Sequence, residues 1–462
     1  MKRVFSIFAL FLLSSVFVFG DYNRFGIPDS AEIRRAAGNS WFAEPLEMLR
    51  SKNSEIHANS IGQNFQIRME ENEDFFSVII APEITVPVDV YTDSGITTIT
   101  SRQYPADISG SWVLVRNKID GKPIRLRYYF SPDSDVFVQV SPQERYTLTD
   151  MMIFNSYAAQ GLQVGIPFES FYTASIEQLF QWTESVLPWK YVMHDTGLYH
   201  SSLQMIESIR EILPLIVPTE DAVYDEAGRP VYLSTGKSRK IEPETAGKLT
   251  LSEAGFVKWV VDGLIFPLTG SYTFRDPLLV PTVEYKSIGF QGIIDSIYDL
   301  SFALNWTRNL AAASLSVYAN KNYLYDASGV DVKAEPFCAE LVNGKIENTS
   351  CYIKNTGYKI NRLQAILYVL AAENPAFCYL AAIRSKSDTS PEVRPFNHCA
   401  VIFPYFDSTG RFCCVVFQNG RELSLSKFIQ LYKDDFVHLT RVQTEDRFFP
   451  QKPELMSVSS IK

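Results

Sequence analysis

No cysteine precedes Cys338, no apolar stretch beyond the first twenty residues is long enough to cross a bilayer, and no basic stripe interrupts a chain whose formal net charge is −9. Each absence removes a class of function. A spanning helix needs about 20 consecutive apolar residues, so no membrane span is expected beyond the leader. An acidic chain without clustered Lys and Arg is a poor partner for nucleic acid or an anionic membrane surface. Without a cysteine behind the leader, lipid attachment there is not indicated. No CxxC pattern or Cys/His spacing suggests a metal site, and no cofactor is expected. Internal repeats and low-complexity tracts are missing too.

What is present begins with Met1-Lys2-Arg3, an apolar run from Val4 to Phe19, and Val18-Phe19-Gly20 before Asp21. This reads as a secretory signal over residues 1–20, which places the mature protein outside the cytoplasm, periplasmic or extracellular. An uncleaved N-terminal membrane anchor is the alternative, because Val18 is bulkier than the usual cleavage residue. The remaining length suits two or three domains.

Residues 21–62 read as a helical lead-in with Trp41, Leu46, Met48 and Leu49 on one side. Over 63–160 the apolar period becomes two: Phe65 to Met69, Phe76 to Ile80, Val86 to Val88, Thr97 to Thr100, Trp112 to Arg116, Ile124 to Phe130 and Val136 to Val140. Short strands separated by turn residues predict an antiparallel sandwich-like domain. In it, Ile124 to Phe130 alternates apolar and basic or aromatic residues, either a ligand-contacting face or a solvated one. A helical connector follows over 161–245, with starts at Ser175-x-x-Gln178 and Ser201-x-x-Gln204. His194 and His200, lying between those starts, read as surface histidines, and His57 and His438 have no catalytic context. Asp225 to Arg229 reads as a polar hairpin.

The stretch Thr250 to Gly263 organises the C-terminal half. Phe256, Trp259, Val260 and Leu264 recur at helical spacing, so a buried helix should begin near Thr250 and stop at Gly263 and Pro267. Thr250-x-x-Glu253 has the form of a capping box. Asp295 to Ala319 predicts a second buried helix, and Ile360 to Ala372 a third. The sequon at Asn305 falls inside the second of these and is discounted, as is Asn348. Of the six cysteines, Cys338 and Cys351 form the closest local disulfide candidate; the alternative is that the late cysteines are small buried hydrophobes.

Asn397 to Ile402 and Phe412 to Asn419 flank the turn Asp407-Ser408-Thr409-Gly410 and predict a β-hairpin. A symmetrical turn pairs His398 with Asn419, and a slip of one residue presents Gln418 instead. Aligned on Gly255-Phe256-Val257, the organising helix resembles the nucleophile helix of the NlpC-type cell-wall cysteine peptidases, papain-like enzymes in which Asp-Cys-Ser-Gly-Phe/Leu-Val opens that helix. His398 with Val401-Ile402 matches the family's His strand, and Asn419 or Gln418 its orienting residue. The resemblance implies a papain-like α+β domain over 246–445, with 446–462 a tail, and puts Glu253 where the family has cysteine.

Acyl transfer in that family needs a thiolate. The resemblance therefore implies a degenerate site of Glu253, His398 and Asn419 in a catalytically inactive protein. Ser252, Trp259 and Gln418 would help to line a groove for cell-wall peptide or an envelope partner protein. The alternatives are an active hydrolase that uses Ser252 or a late cysteine with His398, and a purely structural envelope protein. Taken together the fold class expected is α+β, a β-sandwich-like domain followed by a helical connector and a papain-like domain.

Overall fold

The computed structural model describes residues 26–92, 95–132, 135–283, 300–386 and 393–453; the leader lies outside them. The chain is mixed α+β, 29% helix and 35% strand, with a large antiparallel sheet and a second antiparallel sheet at the C-terminus. It divides into two compact units, residues 1–106, 110–126 and 169–181 against 107–109, 127–168 and 182–462. Among the described residues no helix is long and apolar enough to cross a membrane.

In the first unit, α1 (Ala31–Trp41) and α2 (Leu46–Arg50) precede β1 (Glu55–Ala58), β2 (Asn64–Glu71), β3 (Phe75–Pro82), β4 (Ile84–Thr92), β5 (Gly95–Gln103) and β6 (Trp112–Asn117). Strand β7 (Pro123–Tyr129) carries the unit boundary, and α3 (Ile176–Thr183) closes the unit. Strands β1, β2, β3 and β6 pair antiparallel in that order, while β4 and β5 pair only with each other. The expected division into two facing sheets gives way to one run of strands plus a ribbon. The second layer comes instead from aromatic side chains of the helical segments: Phe42 and Tyr172 both pack against Trp112. The lead-in buries Trp41 and Leu49 but leaves Met48 exposed, and its last residues form β1. At α3 the capping box closes as the sequence predicts, with Gln178 N–H donating to Ser175 Oγ (3.1 Å) and Ser175 N–H to Gln178 Oε1 (2.9 Å).

In the second unit, β8 (Val136–Gln143), β9 (Tyr146–Ile153) and β10 (Ser156–Val164) form a meander that β15 (Ala339–Val342) and β16 (Lys345–Asn348) extend. Arg127 is not presented to a ligand: its Nε donates to Gln139, which donates in turn to Asp150. Helix α4 (His200–Ile212) starts one residue before Ser201, whose hydroxyl bonds Asp446, so the second capping box does not form. Short pairs follow, β11 (Ile216–Pro218) with β14 (Leu249–Leu251), and β12 (Ala222–Tyr224) with β13 (Pro230–Tyr232) around the expected Asp225 turn. Next come α5 (Glu253–Thr269), α6 (Arg275–Leu278), α7 (Phe302–Tyr318) and α8 (Tyr325–Ser328). The first residues expected in the second buried helix, 295–299, lie outside the described set. Asn305 on α7 is buried, its amide oxygen accepting from Thr282, in keeping with the discounted sequon.

The C-terminal sheet has the order β17 (Tyr358–Lys359), β22 (Phe436–Gln443), β18 (Phe377–Arg384), β19 (Phe396–Phe406), β20 (Phe412–Gln418) and β21 (Arg421–Ser424). Helix α9 (Leu363–Glu373) precedes β18, and α10 (Leu425–Leu431) joins β21 to β22. Alternate residues Cys378, Leu380 and Ala382 of β18 and Cys399, Val401 and Phe403 of β19 share one core with Trp259 of α5 and Trp306 of α7. The residues between them, such as Tyr379 and Ala381, are buried as well. Near-continuous apolar runs are what a sheet buried on both faces requires.

Candidate functional site

Helix α5 is seated by its first turn. Ser252, not Thr250, is the N-cap, its Oγ accepting from Gly255 N–H (3.1 Å). Thr250 lies in β14 and bonds Arg239, so the expected capping box is absent and Glu253 is free to point elsewhere. Ser252 N–H donates to Ala222 O (2.8 Å), and a Cβ on Gly255 would sit 2.3 Å from that same oxygen. Only glycine allows the helix to start this close to β12.

The helix also runs farther than its sequence predicts, through Gly263 and Pro267 to a left-handed cap at Gly270. Pro267 has no N–H for the carbonyl four residues back, which is that of Gly263. Phe449 N–H takes the vacancy (2.8 Å). The described part of the tail, 446–453, therefore packs on α5, and Trp259, expected in a groove, is instead a core residue whose indole N–H donates to Gln451 O (2.9 Å).

At the N-terminus of α5 the sequence-predicted residues converge. Glu253 Oε2 lies 3.0 Å from His398 Nδ1. Gln418 Nε2 donates to Glu253 Oε1 (2.6 Å) and to the phenolic oxygen of Tyr432 (2.6 Å). The Tyr432 ring stands 5.6 Å from the imidazole. The register explains why Gln418 takes part. Val401 pairs with Phe417, so Gln418 is the next residue on β20 and Asn419 lies beyond the strand. Asn419 is exposed, in the left-handed region at φ 49°. The register is displaced one residue from the symmetrical one, in the sense opposite to the expected slip: continued past Val401↔Phe417 it sets Gln418 against Ala400, on the same face as His398, and Asn419 is corrected out of the group.

The electrostatics favour this contact. A carboxylate in the first helical turn meets the positive end of the helix dipole. The hydrogen bond that Glu253 accepts from the imidazole raises the His398 pKa above its ordinary value, and this outweighs the lowering effect of burial. Burial pushes the Tyr432 phenol up to about 12. His398 Nε2 has no hydrogen-bond partner among the described residues and its side chain is 37% exposed. One imidazole nitrogen is held and the other is open, the arrangement of an oriented histidine.

Among the described residues no nucleophile completes it. Ser252 is spent on its cap. All six cysteines are free thiols. Burial drives the Cys399 thiol far above its ordinary value and the Cys378 thiol to about 12. Cys338 and Cys351 do not pair: strand register sets Ala339 against Asn348, so Cys351 lies past the rung facing Cys338. A cavity of about 500 Å³ is lined by Gln160, Ser185 and Cys338, among others, and holds none of Glu253, His398, Gln418 or Tyr432.

Two clusters escaped the sequence. Arg308 on α7 makes a fork to Asp331 (3.1 and 2.8 Å), while His438 stands 3.5 Å from the same carboxylate; Arg308 and His438 are buried, and the Asp331 side chain is 4% exposed. That network holds the Asp331 carboxyl well below its usual range, and burial lowers the His438 pKa. His194, expected at the surface, stacks on Phe406 at 3.7 Å, bonds Tyr368 Oη (2.8 Å), and is lowered by burial to about 4. Neither cluster has a local motif, because partners come from elements far apart in sequence.

A family profile described as a domain of unknown function (DUF8515) matches residues 23–191. That segment ends before α5 and contains none of Glu253, His398 or Gln418. No curated protein and no solved structure matches the chain.

Proposed function

We propose that residues 246–445 form a papain-like domain of the NlpC type in which a carboxylate has replaced the nucleophile. On this reading the protein is an exported envelope component, periplasmic or extracellular, that binds cell-wall peptide or an envelope partner without cleaving it. The single observation that carries the reading is the 3.0 Å contact between Glu253 Oε2 and His398 Nδ1. It sets a side chain from the first turn of a buried helix against an imidazole from a strand start, as a cysteine peptidase sets thiol against imidazole. A carboxylate there is a weak nucleophile, and its ion pair with His398 occupies the nitrogen that would activate a thiol.

Gln418 departs from the family pattern in touching Glu253 rather than the imidazole. One observation favours a second reading, an active hydrolase: His398 Nε2 has no partner among the described residues, and in the neutral tautomer whose Nδ1–H is held by Glu253 it is able to take a proton from water. A Glu253→Cys variant tests the first reading. Turnover of purified muropeptides by the variant and not by wild type is the expected result. Turnover by wild type, abolished in His398→Ala, would establish the second.

A further inference from the structure

We propose that the β4–β5 ribbon is a dimerisation arm that pairs, edge to edge, with the same ribbon of a second copy of this chain. The ribbon has nine cross-strand pairs, from Ile84↔Gln103 to Thr92↔Gly95, and among the described residues no third strand joins it. A two-stranded ribbon is marginally stable alone in water. This one displays Tyr91, Ile96 and Ile99 at 83%, 62% and 50% exposure.

The two edges are not equivalent. Pro87 pairs with Thr100 and has no N–H, so that pair is a non-hydrogen-bonded one. Because pair types alternate, the peptide groups of Ile96, Thr98, Thr100 and Arg102 must point away from β4. None of these four has a backbone partner on that side among the described residues. The β4 edge is interrupted by Pro87 itself, whereas the β5 edge is unbroken and rich in β-branched residues, the kind of edge that recruits another strand.

The self-complementary register of the β5 edge selects a second copy as the occupant, and charge does not oppose it there. The chain carries −9 overall, so most approaches of two copies are repulsive. Between Ile96 and Ser101 the β5 edge has no charge. An antiparallel two-fold centred on Ile99 engages all four outward residues: Ile96 faces Arg102 of the second copy and Thr98 faces its Thr100. Arg102 never meets Arg102, and in its own chain it lies 3.6 Å from Glu83. The same two-fold sets Ile99 against Ile99 and joins the apolar faces formed by Val86, Val88 and Val90, while Asp89 stays on the opposite face. Like charges are not opposed, and cross-strand Ile and Thr pairs are favourable.

Sedimentation of the purified full-length chain across micromolar concentrations tests this, with Thr100→Pro and Ile99→Lys compared with wild type. Thr100→Pro removes only an outward N–H, so the ribbon tolerates it as it does Pro87. Ile99→Lys sets two ammonium groups against each other at the two-fold. The expected result is a wild-type dimer and two monomeric variants with unchanged circular dichroism. A wild type that stays monomeric, including one that binds only a foreign strand, overturns the proposal. So does a dimer that survives both substitutions.

Discussion

At the scale of single residues, the account turns on Glu253 and its hold on His398. The hydrogen bond that raises the imidazole pKa predicts that His398 titrates above about 6.5, its ordinary value. Glu253→Gln should bring the titration down, and an NMR titration of the ring protons reads it. A folded-state pKa above the unfolded one means that the folded state binds more protons. The pair's contribution to stability is therefore full below about 6.5 and is lost as pH rises through the folded value. Gly255 makes a harder claim. A methyl group 2.3 Å from Ala222 O forces the helix off β12, and Gly255→Ala should cost about 1–3 kcal/mol in urea denaturation. An unchanged midpoint would contradict the seating of α5.

Those residues were legible to different degrees. Glu253, His398 and Gln418 were readable because each belongs to a short local pattern, a helix start or a hairpin. Asn419 was selected over Gln418 by assuming a symmetrical turn, and one residue of slip moves a side chain to the other face. Trp259 was misassigned because periodicity identifies a buried stripe but not what buries it.

At the scale of elements, α5 shows how long-range partners override local signals. Gly263 and Pro267 end a helix in isolation. Here the carbonyl left open by Pro267 is met by Phe449 N–H, and Phe448 packs into the same core. Phe449→Pro removes that donor and should cost about 1–3 kcal/mol, the penalty for a buried acceptor left unpaired. Thermal unfolding monitored at Trp259 measures it, and no change would show that the helix end does not need the tail. The Arg308–Asp331–His438 group similarly joins α7, the loop after α8, and β22. Asp331→Ala leaves a buried guanidinium uncompensated and should cost about 3–5 kcal/mol. Chemical denaturation reads the loss, and an unchanged free energy of unfolding would show the network to be incidental. Sequence could not place this group, whose members are dispersed from 308 to 438 with no motif between them.

At the scale of the whole molecule, period-two patterning found the strands from β2 to β8 but not how they associate. The sandwich expectation failed because alternation reports a half-buried face without saying whether sheet or helix covers it. The dependence of stability on pH follows from histidines shifted in opposite directions. His194, lowered to about 4, keeps the folded state neutral where the unfolded chain is protonated. Its contribution is present above about 6.5 and is lost as pH falls towards 4. The losses, His398 above and His194 together with the buried His438 below, predict that stability falls on both sides of about pH 6.5. Unfolding midpoints across pH, repeated in His194→Phe, would show the acid limb flatten; an identical acid limb would contradict the assignment.

The most direct measurement of the central claim is calorimetric titration of the wild-type protein with purified muropeptides, followed by mass spectrometry of the same sample. The account predicts saturable binding, weakened in His398→Ala, with every muropeptide recovered intact. Cleaved products from wild type, or no binding by wild type and His398→Ala alike, would contradict a peptidase-like cleft that has kept its ligand and lost its nucleophile.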